Sequence, residues 1–206
     1  MFNRLLSLAT AKNVRRALIV TLLFMMIMNL GATKFYQFTH GVGILDTGGG
    51  ANLLDNRTSG YAPESAYKMI AAYGSQGIRY HLVLTTADLF FPPTLAFFFL
   101  LVMTYFYAQV FQSHPVTRWL VVLPIFYLAS DYLENIGIAS MLLSFPSNTP
   151  YIAKLANVMF MIKNLTSNVV ILVILIGLVL CALQRVHDLR TKPQPKISSH
   201  KNQLKS

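Results

Sequence analysis

The sequence predicts an all-α protein: a polytopic membrane four-helix bundle with a short amphipathic helix in its outer loop. Three observations carry that expectation. Of the 206 residues, 54% are hydrophobic and only 12% are charged, about half the roughly 25% charged content of a soluble domain. The apolar residues gather into four runs, at 17–36, 81–111, 119–145 and 154–184, each meeting the roughly 20 residues a helix needs to cross a bilayer. The basic residues behind the net charge of +10 concentrate outside those runs, at Arg4 to Arg16 and Arg185 to Lys205. Basic clusters in such positions set topology and meet anionic headgroups. No nucleic-acid partner is expected.

Residues 1–16 form a basic cytoplasmic segment. The first run follows it as an uncleaved anchor, because its apolar stretch is long and Leu30 occupies the −3 position of the nearest cleavage-like site. The outer loop, 37–80, opens on GVGILDTGGGAN, which lacks the GKS or GKT of a phosphate loop and is expected to be a flexible connection. Within the loop, Pro63 suits a first helical position, Glu64 the positive helix end and Gly74 the stop. Tyr67, Ile70, Ala71 and Gly74 then fall on one side of a helix over 63–73 that covers the mouth of the bundle. Asn56-Arg57-Thr58 is a glycosylation acceptor, usable only in a eukaryotic host. The second and fourth runs are long enough to tilt. Arg118 in the second connection and Arg185 at the end of the fourth run put both termini on the cytoplasmic side of a plasma membrane, a bacterial inner membrane if the source is prokaryotic. The tail, 185–206, is polar, basic and proline-containing, a composition expected to stay disordered.

Each run carries a polar line. At about 100° per residue, His81, Thr85, Asp88 and Pro92 share a stripe of the second helix, and Tyr127, Asp131, Glu134 and Asn135 share one of the third. Asn157, Asn164 and Asn168 share a face of the fourth, with Lys163 and Ser167 on its flank; Asn29, Thr33 and Tyr36 make a weaker line on the first. Polar lines in hydrocarbon are expected to face inward. Asp88, Glu134 and Lys163 come out roughly 10 to 15 Å below the outer ends of their helices, at 1.5 Å per residue. The candidate ligand or proton site is therefore Asp88, Asp131, Glu134, Asn135, Lys163 and Asn164, with His81, Thr85, Arg79, Tyr127 and Asn168 in support. Three carboxyls face one lysine. That excess implies a protonated carboxyl, a bound cation, a basic ligand, or help from Arg79, His81 or Lys34 at the rim. Phe91-Pro92-Pro93 is expected to bend the second helix beside Asp88 and expose main-chain groups there.

Other chemistry is not signalled. The single cysteine, Cys181, excludes an internal disulfide and paired-cysteine redox work. No second histidine stands at metal-ligand spacing from His81, and no serine nucleophile elbow is present. Neither a metal nor a cofactor is expected, and no catalytic residue is assigned.

The stretches GYAPESAY, GSQGIRY, DLFFP and DYLEN resemble an uncharacterised group of small four-span bacterial membrane proteins with patterns close to G-Y-x-P-E-x-A-Y, G-x-x-G-x-R-x-Y, D-x-x-F-P and D-x-x-E-N. The resemblance covers Gly60 to Asn135 and brings no activity with it. The plan of four helices with acidic residues lining an intramembrane cavity is also similar to the sterol-isomerase and sigma-2-receptor superfamily, which implies an amphiphilic or cationic ligand. Three functions stay open: binding, with or without transformation, of a lipid-like small molecule; proton- or cation-coupled transport by a homo-oligomer; and a non-enzymatic assembly role. Membrane lipids are partners in all three.

Overall fold

The computed structural model describes residues 2–28, 60–111 and 120–191. Every element in them is helical: α1 (Phe2–Leu8), α2 (Ala11–Met26), α3 (Pro63–Asp88), α4 (Phe91–Phe111), α5 (Val122–Ser144) and α6 (Pro150–Thr191). Two stretches, Pro63–Phe111 and Pro150–Thr191, are long and apolar enough to cross a membrane. Three expectations lie outside the described residues: the polar line of Asn29, Thr33 and Tyr36, the glycine-rich stretch with its glycosylation acceptor, and the tail beyond Thr191.

Helix boundaries follow local chemistry. The basic N-terminal segment is itself helical, broken only before α2, where the Thr10 Oγ1 accepts the Asn13 amide at 3.2 Å. This is an ordinary side-chain cap. α3 begins at Pro63 with Glu64 in its first turn, as the sequence suggests. Gly74 then leaves the helix at φ 64°, ψ 179°, a conformation open to glycine alone. The chain resumes the helix immediately, so α3 is two straight pieces, and no loop separates the covering helix from the segment leading to Asp88. The first piece buries Ala66, Tyr67, Ile70 and Tyr73 against Met141 and Leu142 of α5 and Ala153 and Ala156 of α6. Ala71 and Gly74, expected on that side, are exposed.

The helix expected over 81–111 breaks after Asp88. Its cause is the proline pair: Pro92 and Pro93 have no N–H to give the carbonyls of Asp88 and Leu89, four residues back, and their rings clash with a continuing helix. Leu89 and Phe90 form a tight turn instead, with Phe90 N bonded to Ala87 O at 3.3 Å. The orphaned Leu89 carbonyl accepts the Tyr132 hydroxyl of α5 at 3.0 Å.

α5 and α6 pack closely because Gly137 faces Ala156; a Cβ on Gly137 would stand 2.7 Å from that of Ala156. α4 joins them further along, where the Tyr107 hydroxyl donates to Val173 O at 3.0 Å and the Cys181 thiol to Phe106 O at 3.2 Å. α2 lies against α4, with Phe24 stacked on Phe91 at 6.1 Å between centroids. α6 has 42 residues, about 63 Å at 1.5 Å per residue. It runs beyond 154–184 at both ends, so the basic segment from Arg185 to Thr191 continues the helix.

Candidate functional site

The site is assembled from the end of α3 and the facing stripes of α5 and α6. On α5, Tyr127, Asp131, Glu134, Asn135 and Ile138 are all buried, the three-and-four spacing that puts them on one face. On α6 the buried face runs through Ala156, Lys163, Val170 and Gly177, a seven-residue repeat in which Lys163 is the single charge. Asp88 is the last residue of α3.

These side chains form one connected network. Lys163 Nζ lies 3.1 Å from Asp131 Oδ1 and 2.5 Å from Glu134 Oε2. Asn135 Nδ2 donates to Asp88 Oδ2 at 3.0 Å and to Asp131 Oδ2 at 3.2 Å. Only the amide nitrogen fits between two carboxylates, because the amide oxygen would add a third acceptor where a donor is required. The Glu134 side chain is wholly buried, that of Asp131 5% exposed and that of Lys163 15%. The ammonium also rests 5.7 Å from the Phe160 ring centroid, within cation–π range. Tyr127 lies one turn along α5 from Asp131, edge-on to Phe99 at 5.7 Å, within electrostatic reach of all three carboxylates.

Asp88, Asp131, Glu134, Asn135 and Lys163 are thus brought together, with Tyr127 beside them. The supporting residues divide. His81 is buried between Tyr73, 4.0 Å away between centroids, and Tyr80 at 5.3 Å; its Nε2 has no hydrogen-bond partner among the described residues. It stands two turns from Asp88, about 10 Å along the helix, with Thr85 half-buried between them. Arg79 is exposed and contributes no charge to the network. Asn164 is half-buried, about 100° round α6 from Lys163, and Asn168 is exposed, about 140° round. The fourth helix therefore presents Lys163 inward, as expected, while Asn168, expected in the same cavity, faces outward. Asn157 belongs elsewhere too: its Oδ1 accepts the Tyr61 amide at 2.8 Å and holds the approach to α3.

One contributor was not singled out from the sequence: Tyr132, which satisfies the Leu89 carbonyl, carries no recognisable signal. The inward place of Lys163 has a second signal beside its depth, since Ala156, Val170 and Gly177 mark a packed face at seven-residue spacing on which Lys163 falls.

Chemically, three carboxyls held by one ammonium and one neutral amide can exchange protons among themselves or take up a cation. Among the described residues no set of three His, Cys, Asp or Glu side chains is disposed to hold a metal ion. A cavity of about 370 Å³ lies elsewhere, between α2 and α4, lined by Arg16, Val20, Thr21, Thr94, Phe97 and Leu101 among others. No family model matches the chain, and no curated protein or solved structure does.

Proposed function

We propose that the protein is a four-span integral membrane protein, both termini cytoplasmic, that binds an amphiphile with a basic head group at Asp88. The spans in this reading are α2, α4 with the end of α3, α5 and α6. One observation carries it. Lys163 is committed to Asp131 and Glu134, whereas the partner of Asp88 is the neutral Asn135 amide, which it shares with Asp131. Two like charges on one amide favour a cation beside them, more strongly where the surroundings are apolar. Asp88 is half-buried and ends α3 at the break before Phe91, so a head group reaches it from the side of the bundle while its tail stays in hydrocarbon.

The test uses purified protein in lipid nanodiscs with dimethyldodecylamine as the probe and dodecanol as its neutral counterpart. A ligand that binds only the folded state stabilises it by RT ln(1 + L/Kd) at free ligand concentration L, so the melting temperature rises with ligand concentration. The amine is expected to raise it in the native protein and not in Asp88→Asn, and the alcohol in neither. Equal shifts from amine and alcohol, or an undiminished shift in Asp88→Asn, would sink the reading.

Proton-coupled transport is the second reading. It is favoured by the unbroken contact from Asp88 through Asn135 and Asp131 to Lys163 and Glu134. It requires that proteoliposomes dissipate an imposed pH gradient and that Asp88→Asn does not.

A further inference from the structure

Asn168 lies in the middle of an apolar, outward-facing stripe of α6. Met161, Leu165, Leu172, Leu175 and Val179 share its side at helical spacing, and each is more than half exposed. Asn168 is exposed among them and makes no hydrogen bond to any described residue. Measured along the helix, it is about 21 Å from Lys154 and about 26 Å from Arg185, the charged residues that bracket this stripe. In a spanning α6 its amide is therefore held near the bilayer centre, where neither water nor headgroups reach it and a polar group without a partner is costly.

We infer that this face of α6 is a contact between two copies of the chain, with Asn168 of each copy bonded to Asn168 of the other. The asparagine amide supplies one acceptor and two donors, so two of them facing across a twofold axis satisfy each other reciprocally. Two copies inserted the same way round have their α6 helices parallel and their Asn168 residues at equal depth, which is the condition a twofold contact imposes. Asn164, one turn away on the same side and half-buried, adds a second amide at the edge. The stripe holds no glycine or alanine, so the helices meet at the spacing of leucine-type side chains, about 8–10 Å between axes. Side-chain amides are a recognised adhesive between membrane helices, and a single buried asparagine can define a pairing.

This inference rests on α6 being a span, and the measurements separate the two claims. A chain released from membranes by alkaline carbonate fails the membrane reading. A chain that stays in the membrane but is monomeric overturns only the pairing. Light scattering in mild detergent is expected to give twice the 23.1 kDa of one chain for the native protein, and half that protein mass for Asn168→Leu with helix content unchanged. In a Cys181→Ser background, Leu165→Cys and Leu172→Cys are expected to cross-link in native membranes. Leu178→Cys, about 100° round the helix from Met161 and Val179, is expected to cross-link several-fold less. Adding Asn168→Leu should reduce the Leu172→Cys product several-fold. A native protein monomeric at every protein-to-detergent ratio overturns the inference, as does equal cross-linking at all three cysteine positions.

Discussion

Replacing Lys163 by Met removes the ammonium that Asp131 and Glu134 both contact, while keeping most of the side-chain volume. The Glu134 side chain has no exposed surface and that of Asp131 only 5%, so water cannot take over. Removing one partner of a buried ion pair costs about 3–5 kcal/mol because the other charge is left uncompensated; here two carboxylates lose the same partner, and the upper part of that range applies. Glu134→Gln differs in kind. Lys163 keeps Asp131 at 3.1 Å, and the new amide oxygen still accepts from Nζ. Its cost is the weakened charge-assisted bond and a buried NH₂ group, about 1–2 kcal/mol. The order Lys163→Met worse than Glu134→Gln therefore follows from the three-to-one ratio of carboxyls to ammonium. In an isolated one-to-one pair the two changes would be similar. The double variant should be less destabilised than the sum of the single ones, because the neutral glutamine amide needs no counter-ion. Reversible unfolding in mixed micelles, followed by circular dichroism as dodecyl sulfate is raised, measures all three. Glu134→Gln destabilising as much as Lys163→Met, or strict additivity in the double variant, would refute the argument.

Two further expectations concern backbone positions. Gly137→Ala places a methyl 2.7 Å from the Ala156 Cβ and 3.4 Å from its Cα. It should cost about 1–3 kcal/mol by overpacking, and Ala156→Gly should restore stability in the same unfolding assay. Gly74→Ala meets no atom within 4 Å, so its cost, about 1–3 kcal/mol, is backbone strain alone; amide exchange over 63–73 should quicken, with that over 122–144 unchanged.

Much of the helical pattern was legible because apolar length and proline chemistry act locally. Pro63, Glu64 and Gly74 mark the covering helix, and the proline pair marks the break beside Asp88. The extent of α6 was less legible, since polar residues such as Arg185 and Asp188 do not by themselves stop a helix. The meeting of Asp88, Asp131, Glu134, Asn135 and Lys163 was readable from stripes and depth. The error on α6 has a definite cause. Lys163 and Asn168 are about 140° apart on one helix, and periodicity reveals both faces without saying which turns inward. Packing decides that: Ala156 and Gly177 allow close approach, to Gly137 on α5 and to Tyr107 on α4, and Lys163 lies between them. The assumption that every polar line faces the core thus fails at Asn168, which is exposed although Asn164 and Asn157 of the same line are half-buried.

The network also divides into two parts of different character. Lys163, Asp131 and Glu134 form its compensated part, joining α5 to α6 deep in the packed face. Asp88 and the Asn135 amide form its electronegative part, at a helix end where two prolines have already removed the backbone bonds that would hold α3 and α4 in line. Asp131 belongs to both, since one oxygen meets Lys163 and the other the Asn135 amide. A cation arriving at Asp88 would draw that carboxylate from Asn135, leave the amide to Asp131, and relax the repulsion the two carboxylates share. Uptake at the broken helix end thus need not disturb the ion pairs that hold the bundle. Substitutions should separate accordingly: Asp88→Asn spares stability while abolishing any response to the amine probe, and Lys163→Met lowers stability first, by taking away the ammonium that Asp131 and Glu134 share.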